Sequence, residues 1–464
     1  MRPPLAIPLF LVCAISAFGQ DMVRVTIDEA VALALRNNLS LQASRIGTET
    51  KKRKADTAWN VLVPTVEIAG TLARSNVATS STGFLPVRLW TLSPPDNMVY
   101  GVSPYTIDLP QWSVSGSLSV SLNINFALFE GIRNLRLEYE GGLVSYEAAK
   151  SQLERDVRKS YYQILLLQQN IELVNENLRA AERRVELARA NFEAGLAPEL
   201  TLLQAQVAME NLKPAINEMG NSMQVLLVSF VMTLGLPRGT QIELGPAEIP
   251  PFAPLDIEDL VAKASSGKPE IQELRQNIII MESRRKMLTH QAYTPYLSLG
   301  WNADPTFQGD PWKDPWFNLD NWKQRSGMFR VTLGFRLNSL LPFSSESQGI
   351  KDVDDTLRTL NINLGLLIRS AEVSIYNAVS QLEKSQVTVE ALRRTVELAE
   401  KTYRLTEEAY HAGLSDLLEV QNAELELHKA RLEVVKETNN YLMGLLDLEY
   451  AIGVPQGTLF GSQK

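Results

Sequence analysis

The sequence predicts a mainly α-helical chain with an internal duplication, whose few strands join those of other copies in a membrane β-barrel. The first supporting observation is the stretch at residues 113–126, Ser-Val-Ser-Gly-Ser-Leu-Ser-Val-Ser-Leu-Asn-Ile-Asn-Phe. Ser or Asn holds every odd position, and an apolar residue holds every even one except Gly116. Alternate side chains of a strand face opposite ways, so this strand has one apolar face and one wet face. A soluble sandwich strand alternates too, but usually over about 5–6 residues, whereas a membrane strand needs about 9–11. The second observation is a heptad seam inside the Pro-free residues 132–194, from Val157 through Ile164, Ile171, Leu178 and Val185 to Phe192. The third is that the whole programme runs twice. Shifting the first seam by 218 positions puts Ile171 on Val389, Phe192 on Tyr410, Gly195 on Gly413 and Pro237 on Pro455.

Bulk properties narrow the class. The chain has 464 residues and a net charge of −8, which argues against a nucleic-acid partner. Its one cysteine, Cys13, lies in an apolar run from Leu5 to Ala17 preceded by Arg2. That run is too short to span a bilayer, and Ala17-Phe18-Gly19 suits a cleavage site, so residues 1–19 read as a secretory signal peptide. Val12 precedes Cys13 where lipidation needs a small residue, so no lipid anchor is expected. The mature chain then lacks the thiols for disulfides or thiolate metal sites. No later segment has 18 uninterrupted apolar residues, so a membrane location requires a barrel.

The first repeat covers 20–245. Thr26 and Glu29 form a capping box before a helical pattern that runs to about Val63 and stops at Pro64. A strand at about 65–74 is followed by a long loop at 75–111 and the alternating strand at 113–126. The long helix 132–194 ends at Gly195, and Pro198 and Glu199 open the helix 199–234, kinked by Pro214. A Pro-rich connector fills 246–256. The second repeat, 257–464, brings a helix and strands at about 296–303 and 329–338. Then come the long helix 349–412, the tip 413–416 and the helix 416–452. Four strands cannot close a membrane barrel, which needs at least about eight, so copies must contribute. Two chains give eight strands and three give twelve, the latter wide enough for a channel. In the first half the short helices at about 40–63 and 199–234 together match the long helix in length, so two short helices can stack alongside each long one as a helical tunnel.

Motifs in this order resemble the outer-membrane efflux protein (TolC-like) family over nearly the whole mature chain. They are Ile27-Asp28-Glu29-Ala30, Ala34-Leu35-Arg36-Asn37-Asn38, the Pro64 and Pro295 strand starts, and Phe126-Ala127-Leu128-Phe129-Glu130-Gly131. The two Ala-Gly-Leu turns and the Gly-Leu-Pro and Gly-Val-Pro ends complete the set. Leu39 departs from the family's proline after the Asn pair, and Phe343-Ser344-Ser345-Glu346 from its glycine-rich turn. The resemblance implies a homotrimer, a 12-stranded outer-membrane barrel and an α-helical tunnel across the periplasm. It also implies a periplasmic adaptor and an inner-membrane pump as partners; a pore needs no cofactor and no catalytic group, and none is expected.

The resemblance places the pore entrance at the Gly turns, with lining acids six and nine positions after each Gly. Thr201 and Gln204 stand there in the first half, Glu419 and Asn422 in the second. Glu419, with Asp416 beside it, would form an anionic ring on the symmetry axis. The bland alternative is a helix N-terminus stabilised by acids, with Ser415 as its cap. Gly195, Leu196, Gly413, Leu414 and Ser415 are the expected adaptor contacts. Two basic clusters, Lys51-Lys52-Arg53-Lys54 and Arg284-Arg285-Lys286, lie at similar distances before Pro64 and Pro295. They are expected under the inner-leaflet phosphates or on a solvated helix face. Trp90, Trp112, Trp301, Trp312, Trp316 and Trp322 suit an aromatic girdle. His290, His411 and His428 have no metal-binding spacing, and no nucleophile–base pair or phosphate loop is visible. The leading function is therefore a passive export duct in the outer membrane. The alternative is a non-conducting periplasmic coiled-coil scaffold.

Overall fold

The computed structural model describes residues 23–77, 79–89, 99–109, 111–246, 255–309, 312–315, 318–457 and 459. The expected signal peptide and most of the Pro-rich connector lie outside them. Two compact units divide the chain. One spans Met1–Thr50, Glu140–Ile278 and Leu360–Lys464, the other Lys51–Tyr139 and Ile279–Thr359.

In the helical unit, β1 (Val23–Val25) precedes α1 (Ile27–Asn37), and α2 (Leu39–Asp56) begins after a break at Asn38. The continuous helix expected to Val63 is therefore interrupted. Asn38 has extended backbone, its Oδ1 accepts from Leu41 N at 3.1 Å, and its Nδ2 donates to Thr233 O at 2.9 Å. This side-chain cap replaces the absent proline, because Leu39 sits at the first helical position where proline is ordinarily favoured. The second half has the same break between α6 (Ile257–Gly267) and α7 (Pro269–Tyr293), with Pro269 at its first position.

The long helix α3 runs Phe126–Glu193 and starts earlier than expected, directly out of a strand. Asn125 explains this, since its Oδ1 accepts from Leu128 N at 3.1 Å and caps the helix before Gly131 is reached. After α3 come α4 (Glu199–Glu210) and α5 (Leu212–Thr233). The expected single helix splits at Asn211 because Pro214 cannot donate to Glu210 O and its ring crowds that carbonyl. The second long helix, α8 (Ser345–His411), also starts early, where Ser344 Oγ accepts from Ser347 N at 3.1 Å. The last helix, α9, runs Leu417–Ile452 and stops at Gly453 in the left-handed conformation.

The two larger cores among the described residues of this unit lie around α1 and α6. In one, Ala30 and Ala34 of α1 pack with Val157, Tyr161 and Ile164 of α3 and Phe230 of α5. The strands β1 and β6 (Ile242–Leu244), which the sequence did not reveal, pair in parallel against it. Buried Tyr161 aims its hydroxyl at Val25 O (3.0 Å) and Gly245 O (2.8 Å) and pins that ribbon. The other core joins Leu260 of α6, Ile375, Val379 and Leu382 of α8, and Leu442 and Leu448 of α9.

The strand unit contains a sheet in the order β2 (Thr65–Arg74), β5 (Trp112–Asn125), β7 (Tyr296–Ala303) and β9 (Met328–Gly334). All three neighbour pairs are antiparallel. A short strand, β8 (Thr306–Gln308), also pairs with β5. The alternation expected to carry β9 to Asn338 stops at Gly334. There the chain turns, and buried Ser339 bonds Ala292 O and Arg336 O, both at 2.6 Å. The long loop expected at 75–111 contains a separate two-stranded ribbon, β3 (Thr79–Leu89) with β4 (Val99–Leu109). Pro86 and Pro104 hid it, because a proline demotes a strand unless it lies at an edge, and both strands of an isolated ribbon are edges.

Candidate functional site

The first candidate site is built where α3 and α8 end. Gly195 (φ +71°) and Gly413 (φ +74°) both take the left-handed conformation. Leu196 N donates to Asn191 O at 2.8 Å and Gly195 N to Phe192 O at 2.9 Å. Leu414 N and Gly413 N repeat the pattern on Ala409 O and Tyr410 O, at 2.8 and 3.0 Å. This is the Schellman stop, which satisfies the last helical carbonyls. A methyl group placed on either glycine meets nothing within 4 Å, so conformation rather than space demands glycine. Gly413→Ala is expected to cost about 1–2 kcal/mol and to speed amide exchange across residues 409–420. Unchanged exchange there would contradict the assignment.

A Schellman stop usually buries the residue after its glycine. Here Leu196 is 79% and Leu414 83% exposed. The two turns nevertheless share one small core. Val185 and Ala188 of α3, Ala205 of α4 and Leu417 of α9 pack together, with Tyr410 against them. Beside it, Asp416 caps α9 by accepting from Glu419 N at 2.9 Å. The cap is thus Asp416, not the expected Ser415. Ser415 instead donates its hydroxyl to Glu419 Oε2 at 2.5 Å. Glu419 and Asn422 are both exposed, three residues apart on α9. On α4, Thr201 is half-buried and Gln204 exposed, and Pro198 supplies no side-chain cap.

The sequence reading missed a buried polar cluster next to this core. Arg184 of α3 forms an ion pair with Glu424 of α9, their side chains only 15% and 9% exposed. Burial pushes the Glu424 carboxyl up from its ordinary value, and the Arg184 guanidinium opposes that rise. Tyr403 donates to Glu407 at 3.0 Å, and its phenol is pushed up to about 12 by burial and by the Glu424 and Glu407 carboxylates. His428 Nε2 lies 4.0 Å from Glu424, too far for a hydrogen bond. Burial and the cations of Arg431 and Arg184 lower its pKa, which favours the neutral imidazole. One signal was available in the sequence: Glu424 interrupts the apolar stripe Leu417, Val420, Leu427 of α9.

The second candidate site is the sheet, whose register sorts side chains by face. Val66, Ile68 and Leu72 of β2 share a face with Val114, Leu118 and Val120 of β5. Leu299 and Trp301 of β7 and Phe329, Val331 and Leu333 of β9 continue it. Ile68 is 80% and Leu333 75% exposed, so this face is apolar and bare. The opposite face carries the Ser and Asn residues of β5 with Ser298, Asn302 and Thr332. Among the described residues of these four strands, its charges are Glu67 and Arg330.

The basic clusters fall on the helices leading into this sheet. Lys51, Lys52, Arg53 and Lys54 lie exposed on α2, and Arg284, Arg285 and Lys286 lie exposed on α7. Arg285 is also ion-paired with Asp354 of α8 at 2.5 Å. Of the aromatic residues, Trp112 opens β5 with Arg74 stacked 5.4 Å from its ring centre, and Trp322 leans on Phe307. Trp90 and Trp316, and the side chain of His411, lie outside the described residues. No helix among the described residues is long and apolar enough to cross a membrane, and no group of metal-binding side chains occurs among them.

Several solved structures share this fold. The outer membrane channel CmeC of Campylobacter jejuni superposes with a TM-score of 0.72 at 15% identity, over 92% of this chain and 85% of its own. VceC of Vibrio cholerae gives 0.69 at 15% identity, over 92% and 96%. The open-state MtrE channel of Neisseria gonorrhoeae gives 0.66 at 16%, over 92% and 89%. At such identities the likeness concerns the fold. The sequence profile described as "Outer membrane efflux protein" matches residues 30–235 and 368–454, well over half of the chain. The chain therefore belongs to the outer membrane efflux protein family, the family of TolC-like channels.

Proposed function

We propose that this chain is the passive exit duct of a tripartite efflux or secretion system. Three copies would close a 12-stranded barrel in the outer membrane, and their paired long helices would form a periplasmic tunnel. The observation that carries the reading is the sheet. It has one bare apolar face and one wet face of small polar residues, and its edges, β2 and β9, are open to further pairing. A bare edge of this length invites another strand, and joining copies edge to edge removes every edge. The near-equal lengths of α3 and α8, 68 and 67 residues, support an internal duplication. The non-conducting scaffold has no use for the wet face. The mass of the detergent-solubilised complex tests the closure. Three chains are expected, and a monomer would contradict it.

The exposed Leu196 and Leu414 suit a periplasmic adaptor, which in turn would dock an inner-membrane pump that supplies the energy. The basic clusters on α2 and α7 would lie beneath the inner-leaflet phosphates, held there by α7–α8 pairing through Arg285. A signal peptide at residues 1–19 would direct export, without lipidation of Cys13.

Glu419 would line the entrance as three copies around the axis, with Asn422, Thr201 and Gln204 nearby. Asp416 is committed to capping, which leaves Glu419 as the free-facing carboxylate, held by Ser415. Glu419→Ala is expected to lower cation-over-anion selectivity several-fold in bilayer recordings without changing assembly. Unchanged selectivity would remove the ring and leave helix stabilisation as the role of this acid.

A further inference from the structure

We propose that the apolar sheet face carries a built site for an acyl chain of an anionic lipid. The site is a cleft of about 440 Å³ in the strand unit. Its floor centres on the ladder row Ile68 of β2, Leu118 of β5 and Ala303 of β7, with Ala69 and Ser117 of the next row also lining it. Along the same face the floor continues past Gly70 and Gly116, a cross-strand glycine pair that leaves a notch. The segment after β7 walls it through Pro305, which continues the β8–β5 ladder, and covers it through Leu319 and Trp322, with Arg325 also lining it.

That roof is fixed, not draped. Gly116 N donates to Pro305 O at 2.9 Å. Thr306 and Lys323 exchange two backbone bonds at 2.9 and 2.7 Å. Phe307 is buried, with Trp322 tilted against it at 6.2 Å. Between Trp322 and Arg325 the chain passes through Gln324 at φ +55°, a conformation that side chains rarely adopt. A left-handed non-glycine residue persists where its surroundings hold it, and the next residue, Arg325, lines the cleft.

The chemistry of the occupant follows from what the cleft adjoins. Its floor is part of the bare apolar face, so what fills it is what covers that face: lipid. This rests on the outer-membrane location of the family. The rim selects an anionic headgroup. Arg325 is 53% exposed and shares Asp320 at 3.5 Å, and Lys323 is exposed beside it. Arg74, stacked on Trp112, adds a third cation at the loop end of the same face. Asp304 lies nearby but is engaged by Asn302 Nδ2 at 2.5 Å.

The test uses the full chain in nanodiscs doped with phosphatidylglycerol or phosphatidylcholine whose acyl chains are brominated. Quenching assigned to Trp322, by difference from Trp322→Phe, is expected to saturate at low brominated-lipid fraction. Half-saturation is expected at about fivefold lower fraction for phosphatidylglycerol, the preference of roughly one cation near a membrane surface. Arg325→Gln should abolish that preference, and Gly70→Phe, which fills open space in the notch, should abolish saturable quenching. Equal half-saturation for both lipids would overturn the headgroup contact. Quenching that only rises linearly, or none in an inserted oligomer, would overturn the site and point to a neighbouring copy as the occupant. Failure to enter nanodiscs at all would instead contradict the membrane reading.

Discussion

Leu299→Arg is expected to abolish insertion into the outer membrane, and Ser298→Arg to leave it intact. The two residues are neighbours on β7 but belong to opposite faces. Leu299 stands in a row with Leu122 of β5 and Val331 of β9, whereas Ser298 stands with Asn123 and Thr332. An arginine on the lipid side of a barrel near the midplane costs about 2–4 kcal/mol. That cost recurs in every copy of a symmetric assembly, so the yield of inserted protein should collapse. The wet face faces water in a duct, so Ser298→Arg should insert normally and shift selectivity toward anions. Membrane fractionation reads the first outcome and bilayer recording the second. Equal insertion of the two variants would contradict the assignment of faces.

The second large effect concerns Arg184. Replacing it with Met leaves Glu424 buried without its cation, which costs about 3–5 kcal/mol when a buried pair is broken. The loss should appear as early unfolding of the helix ends in urea, followed by amide exchange over residues 417–431. The double change Arg184→Met with Glu424→Leu removes both charges and should recover most of the loss. A pH dependence follows from the direction of the Glu424 shift. Burial raises this carboxyl above its ordinary 4.5, so its neutral form is the better tolerated one in the folded state. The contribution of this one carboxyl to stability is therefore fully present below about pH 4.5 and lost as pH rises through the raised value. Removing Arg184 deletes the influence that opposes the rise. The gap between Arg184→Met and the parent should thus narrow as pH falls from 7 toward 5. A gap independent of pH would mean that Glu424 is not the group left stranded.

The sequence spoke most clearly where a pattern had a simple period. Alternation at 113–126 marks a strand with two unlike faces, and the stop glycines mark both helix ends. It spoke less clearly where one side chain overrides a local rule. Asn38 and Asn125 each cap a helix, one producing a break without proline and the other starting α3 six residues before the Pro-free window suggested. Ser339 turns the chain at a place where alternation still reads as strand. The β1–β6 pairing is invisible because three-residue strands have no period and are held by Tyr161, far away in the sequence. The same reason hid Arg184 and Glu424. Arg184 reads as an ordinary surface charge, and Glu424 shows only as a break in the α9 stripe, until α3 and α9 are placed together. The cleft roofed by Trp322 was likewise illegible, since a Trp/Pro/Asp-rich segment gives no indication of which face it folds over.

The most direct test of the duct is single-channel conductance of the purified, signal-free protein in a planar bilayer, with the oligomeric mass measured in the same detergent. A trimer that inserts and passes cation-selective current is the expected result. A water-soluble oligomer that never conducts would contradict the account and restore the periplasmic scaffold.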